Sequence, residues 1–97
     1  MRHGTLAIDF DGVVRRKDGE PMINALDSLW ELREYYIIIH TSMANTTKGR
    51  KLVANWLEKH DVKYDEIQGK PMADYYIDDK AIRHVSWGMT LSVIMEE

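Results

Sequence analysis

Apolar residues in this chain come in short blocks that stop abruptly at polar ones. Thr5-Leu6-Ala7-Ile8 reads as a first strand and ends at Asp9-Phe10-Asp11-Gly12. Tyr36-Ile37-Ile38-Ile39-His40 is an unbroken, β-branched run, the pattern of a strand buried on both faces, and it ends at Thr41-Ser42. Tyr64 to Ile67 predicts a short strand, Tyr75-Tyr76-Ile77 another that ends at Asp78-Asp79, and Arg83-His84-Val85 an edge strand. Amphipathic stretches lie between them. Asn24 is placed to cap a helix to about Glu34, with Leu26, Leu29, Trp30 and Leu32 facing the sheet. Thr46 or Thr47 caps a second helix to about His60, with Leu52, Val53, Trp56 and Leu57 inward. Ser86 caps a last helix from Trp87, although Gly88 weakens that stretch. Asp18-Gly19, a favoured two-residue turn, predicts a β-hairpin flap over 13–22, with Pro21 near its end where a missing N–H is tolerated.

Alternating strands and helices predict an α/β fold, a three-layer sandwich on a mainly parallel sheet of about five strands. With 97 residues the chain has room for one domain, 1–97, and no second core. So small a domain buries a modest fraction of its surface, which leaves room for a homo-oligomer. The net charge of -3 argues against binding polyanions by bulk attraction, though not against a local basic patch. The absence of cysteine excludes disulfides, thiolate metal sites and cysteine nucleophiles, and suits a reducing compartment. Met1-Arg2-His3-Gly4 lacks the long apolar stretch of a signal peptide, and no segment approaches the roughly 20 apolar residues of a membrane span. A cytoplasmic protein with no membrane partner is the expectation.

The candidate chemistry lies where strands end. In a parallel sheet the carboxyl ends share one edge, and ligands bind there. That edge would gather Asp9, Asp11, Asp78 and Asp79 with the hydroxyls of Thr41 and Ser42, and Lys70, just ahead of the strand that ends at Asp78-Asp79, is placed to reach it. Such a cluster of carboxylates is unfavourable unless a cation neutralises it. Oxygen donors without cysteine or a convincing histidine set favour a hard ion such as Mg²⁺.

This constellation resembles the haloacid dehalogenase superfamily of phosphohydrolases over nearly the whole chain. The Asp-x-Asp-Gly motif of that family matches Asp9-Phe10-Asp11-Gly12, its strand-closing Thr or Ser matches Thr41, its lysine Lys70, and its acidic pair Asp78-Asp79. The stretch from Gly69 to Ile82 is similar to small capless members from bacteria and phages. The resemblance implies a HAD-like, doubly wound (Rossmann-like) sheet of order 5-4-1-2-3 without a cap domain. It also implies a Mg²⁺-dependent phosphatase that hydrolyses a phosphomonoester through an aspartyl-phosphate. In that scheme Asp9 is the nucleophile and Asp11 the general acid and base. Thr41, Ser42 and Lys70 hold the phosphoryl oxygens. Asp9, Asp11 (by its backbone carbonyl), Asp78 and Asp79 hold the metal, directly or through water. Two positions depart from the family pattern. Ser42-Met43-Ala44 stands where many relatives carry an arginine, and Val13 where Thr is frequent. The open site implied by a missing cap suits a large substrate or a neighbouring subunit.

Each feature has a plainer counterpart. Asp-x-Asp alone is usually a solvated turn, an acidic pair usually starts a helix, and a lysine beside proline usually lies at the surface. Their order behind apolar strands favours catalysis. Arg15, Arg16 and Lys17 read first as a solvated hairpin, while Arg15 and Arg16 are candidate contacts to an anionic substrate. That keeps a polynucleotide 3′-phosphatase or nucleotide phosphatase open beside a sugar phosphatase, with a small molecule or a nucleic-acid end as the phosphorylated partner. From another class, a non-catalytic binding or regulatory domain remains. His40 reads as a structural histidine, and His3, His60 and His84 as surface residues. Trp30, Trp56, Tyr75 and Tyr76 are expected in the core.

Overall fold

The structure is a computed structural model and describes residues 4–96. Three strands pair in chain order: β1 (Thr5–Asp9), β2 (Tyr36–His40) and β3 (Glu66–Gln68). Both pairings are parallel, Thr5 opposite Tyr36 through Asp9 opposite His40, then Ile38 opposite Glu66 through His40 opposite Gln68. Parallel neighbours need a long crossover rather than a tight turn. The helices α1 (Ala25–Glu31) and α2 (Thr47–Lys59) lie in these two crossovers, and α3 (Trp87–Met95) follows and touches α1.

Local chemistry accounts for most of these boundaries. The Thr46 hydroxyl accepts a hydrogen bond from Gly49 N–H at 3.0 Å and starts α2. The Ser86 hydroxyl does the same for α3 from Met89 N–H at 3.3 Å. Each satisfies one of the donors that a helix start leaves without a partner. Asn24 stands at the cap position of α1, but its side chain makes no capping bond and its backbone is left-handed, with φ 66°. In α1, Ala25, Ser28, Leu29 and Leu32 recur at helical spacing and are buried. Trp30 falls off that stripe and is 58% exposed, with the Arg33 guanidinium 4.7 Å over its ring. In α2, Val53 and Leu57 are buried, while Leu52 is exposed.

The core lies between the sheet, α1, α2 and the chain just after β1. Phe10, Val14, Leu29, Leu32, Ile37, Ile39, Val53 and Leu57 are its largest fully buried members. At about 1.5–3 kcal/mol for each large apolar side chain taken from water, they are the main stabilising term. Ile37 and Ile39 are fully buried and Ile38 only partly, so β2 has one better-covered face rather than two equal ones.

The sheet has three strands, and the expected five-stranded, doubly wound, HAD-like three-layer architecture does not form. The two missing strands are identifiable. Residues 75–77 and 83–85 are irregular, with Ile77 99% and Val85 70% exposed. Strand propensity depends on a neighbouring strand and a covering face, and here local contacts engage the side chains instead. The Tyr76 ring lies against the Lys70 ammonium at 4.0 Å, and its hydroxyl donates to the Pro71 carbonyl. His84 Nδ1 lies 2.8 Å from the Thr90 hydroxyl, and its ring is 4.9 Å from that of Trp87. Tyr75 and Tyr76 are therefore exposed rather than in the core. His3, expected at the surface, lies outside the described residues.

Candidate active site

All three strands point their carboxyl ends to one edge, and a residue expected in the chemistry stands at or just past each. Asp9 is the last residue of β1, Thr41 the first after β2, and Lys70 the second after β3. Thr41 N–H donates to the Gln68 carbonyl at 3.0 Å, which ties the ends of β2 and β3 together.

The Asp9 carboxylate is oriented by two contacts. Its Oδ1 accepts from Phe10 N–H at 3.0 Å, and its Oδ2 lies 3.5 Å from Lys70 Nζ. The Asp9 side chain remains 45% exposed while that of Lys70 is 15% exposed, so the carboxylate is accessible and the lysine is largely enclosed. An ion pair this open contributes about 1 kcal/mol at most. Stability alone is a weak reason to bury most of a lysine here. The Thr41 hydroxyl is buried and accepts from Met43 N–H at 3.2 Å. Ser42 is half-buried in the 3₁₀ turn Ser42–Asn45.

A cleft of about 700 Å³ runs along β1 from Asp9 toward Thr5. Lys70 and, against it, Tyr76 line it beside Asp9, and Asp78, Lys80, His84 and Trp87 also contribute to its walls. A smaller hollow between Trp30 and Tyr64 contains none of the strand-end residues. Burial moves the His84 imidazole below its ordinary value near 6.5, because the charged ring is the form that loses water contact.

Not every expected residue joins the site. Asp11 is held by Arg15, whose Nε donates to Asp11 Oδ1 at 2.8 Å and whose Nη2 is 2.7 Å away. The same guanidinium lies 4.8 Å from the Phe10 ring centre and reaches Met43 Sδ at 3.3 Å. Arg16 pairs with Asp18 at 3.0 Å. Both candidate substrate-contacting arginines are thus already paired with carboxylates, and the expected β-hairpin over 13–22 forms only isolated bridges. Asp78 lines the cleft and accepts from Lys80 N–H at 2.7 Å, whereas Asp79 is not among the lining residues. Among the described residues no three His, Asp or Glu side chains converge to hold a metal. Asp9 and Asp78 do share the cleft, and one or two carboxylates completed by water and substrate oxygens is the donor set that suits Mg²⁺.

Two contributors had no clear mark in the sequence. The pairing of Arg15 with Asp11 was hinted at only by a spacing of four. Asn45 brackets Lys70, and nothing in the chain near it signals that contact across 25 positions.

A parallel sheet with Asp9, Thr41 and Lys70 at its carboxyl edge defines the general class: an α/β protein with a candidate site at its strand ends. No protein-family model and no curated relative matches the chain. A crystal structure of a Vibrio cholerae structural-genomics target is similar, with TM-score 0.72 and 26% identity, over 99% of this chain and 98% of that one. The description of that protein carries no function. Among the described residues, no helix is long and apolar enough to cross a membrane.

Proposed function

We propose that the chain is a phosphomonoesterase that works through an aspartyl-phosphate on Asp9, with chemistry of the haloacid dehalogenase kind. One observation carries this reading: an accessible carboxylate at the end of β1, oriented by its neighbouring amide, faces an enclosed lysine ammonium at 3.5 Å. A solvated turn has no need of an enclosed lysine, whereas a nucleophile for a phosphate dianion needs positive charge beside it.

In the proposed reaction an Asp9 oxygen attacks phosphorus, and the bond from phosphorus to the leaving oxygen breaks. Lys70 and the Thr41 hydroxyl hold the phosphoryl oxygens. Asp11 protonates the leaving oxygen and then takes a proton from the water that hydrolyses the aspartyl-phosphate. To do so it must exchange its Arg15 partner for substrate. Asp11 is 54% exposed, so breaking that pair costs about 1 kcal/mol or less. Mg²⁺, held by Asp9 and Asp78, would supply charge that offsets the phosphate dianion. Arg15 and Arg16 are already paired, which favours a small phosphorylated molecule over a nucleic-acid end as substrate.

The test is phosphate release from an aryl phosphate with and without Mg²⁺, in wild type and in Asp9→Asn. The expected result is Mg²⁺-dependent release that falls at least about a thousandfold in the variant, as loss of a covalent nucleophile demands. Wild type that neither turns over nor binds beryllium fluoride would instead favour a non-catalytic domain.

A further inference from the structure

We propose that Asn45 is the positioning residue that sets Lys70 against Asp9. The inference rests on the phosphatase reading above and goes beyond it, because it assigns the placement of the site lysine to a side chain outside the reacting set.

The contact is two-sided. Asn45 Oδ1 accepts from Lys70 N–H at 2.9 Å, and Asn45 Nδ2 donates to the Lys70 carbonyl at 2.9 Å. One amide side chain thus holds both polar groups of a single residue in an irregular segment. Only one orientation of the amide satisfies both, since the oxygen must meet the N–H and the nitrogen the carbonyl. The same stretch is pinned further back: Arg50 Nη1 donates to the Ile67 carbonyl at 2.6 Å, and Thr41 N–H to that of Gln68. The backbone is therefore tied at Ile67, Gln68 and Lys70.

Gly69 fits the same arrangement. A Cβ there would collide with Asn45 Oδ1. A larger residue would push the Asn45 amide aside, and Gly69 lets it come close enough to bond the next residue. Beyond Lys70, residues 71–80 are all exposed, so no core packing fixes the lysine from that side. The clamp comes from the turn after β2, the element that also carries Thr41 and Ser42. Both groups assigned to the phosphoryl oxygens thereby share one mounting. Displacements of about 1 Å at such a group are enough to slow a reaction up to a hundredfold.

The experiment compares Asn45→Ala, Gly69→Ala and the double variant with wild type. It reads kcat/KM on an aryl phosphate with Mg²⁺, affinity for inorganic phosphate, Tm, and exchange of the Lys70 amide proton by NMR. Each single change is expected to lower kcat/KM about tenfold, within the up to hundredfold that a displacement of about 1 Å at such a group costs. The double variant should lose no more than either single one, because both break the same contact. Phosphate affinity should fall in parallel and Lys70 amide exchange should quicken, while Tm moves by only a few degrees, which a merely structural role would not produce. Losses that multiply, an unchanged Lys70 amide, or full activity in Asn45→Ala beside an active wild type would overturn the clamp alone. A wild type that neither turns over nor binds phosphate would overturn the phosphatase reading and the role of the clamp with it.

Discussion

Two stretches without regular structure flank Asp9, and they are held in opposite ways. The first, residues 10–22, follows β1 directly. Phe10 and Val14 are fully buried there, and the Phe10 ring meets the Trp56 ring edge-on at 5.2 Å. Two indoles fix its backbone: Trp56 Nε1–H donates to the Gly19 carbonyl and Trp87 Nε1–H to that of Val13, both at 2.8 Å. The turn closes on Gly12, whose φ of 85° few other residues tolerate and whose N–H donates to the Arg15 carbonyl. The second stretch, residues 71–85, places every residue but His84 in the exposed class. It is tied mainly by Tyr76 beside Lys70 and by His84 beside α3. Irregular chain is thus fixed by a few buried side chains and by donors from helices reaching its carbonyls. Length and composition do not decide the matter.

The comparison can be broken most sharply at Phe10. Phe10→Ala is expected to cost about 3–5 kcal/mol, read by chemical denaturation, because the cavity opens in the core itself. Trp87→Phe should cost about 1 kcal/mol, since the half-buried Val13 carbonyl loses its donor. A smaller effect is expected from pH. The folded state holds His84 below its ordinary value near 6.5, so the unfolded chain binds the proton more readily. Stability is then full above that value and declines as pH falls from about 6.5 through the lower folded value, and His84→Asn should flatten the decline in Tm. Ile77→Ser should move stability by only about 0.5 kcal/mol or less, as expected of a side chain that contacts almost nothing. A loss approaching that of Phe10→Ala would mean that residues 71–85 are packed in solution.

The sequence was legible where local chemistry decides. The β-branched run of β2, the hydroxyls that cap α2 and α3, and the block ending at Asp9 all specify structure within a few residues. Lys70 was matched to Asp9 only through the family likeness and a strand over 75–77 that does not form, and in the fold it reaches Asp9 from the end of β3. What could not be read depended on distant partners. Tyr75-Tyr76-Ile77 has the composition of a strand, yet the Tyr76 ring lies against the Lys70 ammonium instead. Trp30 is apolar enough for the core but sits one step off the stripe of α1. Asn45 looks like any polar turn residue, and only the arrival of Lys70 from the next crossover gives it a purpose.

The parallel register also bears on how the molecule is made. Thr5 pairs with Tyr36 and Ile38 with Glu66, so neither pairing joins neighbours in the chain. Each must close a loop of roughly thirty residues before any sheet contact repays the lost entropy. The first closure brings Asp9 opposite His40, the residue before Thr41. Lys70 arrives only with the second, so the Asp9 carboxylate gains its counter-charge only once β3 has paired. A chain arrested before β3 would carry the carboxylate without its lysine, and the site would be assembled only when the sheet is complete.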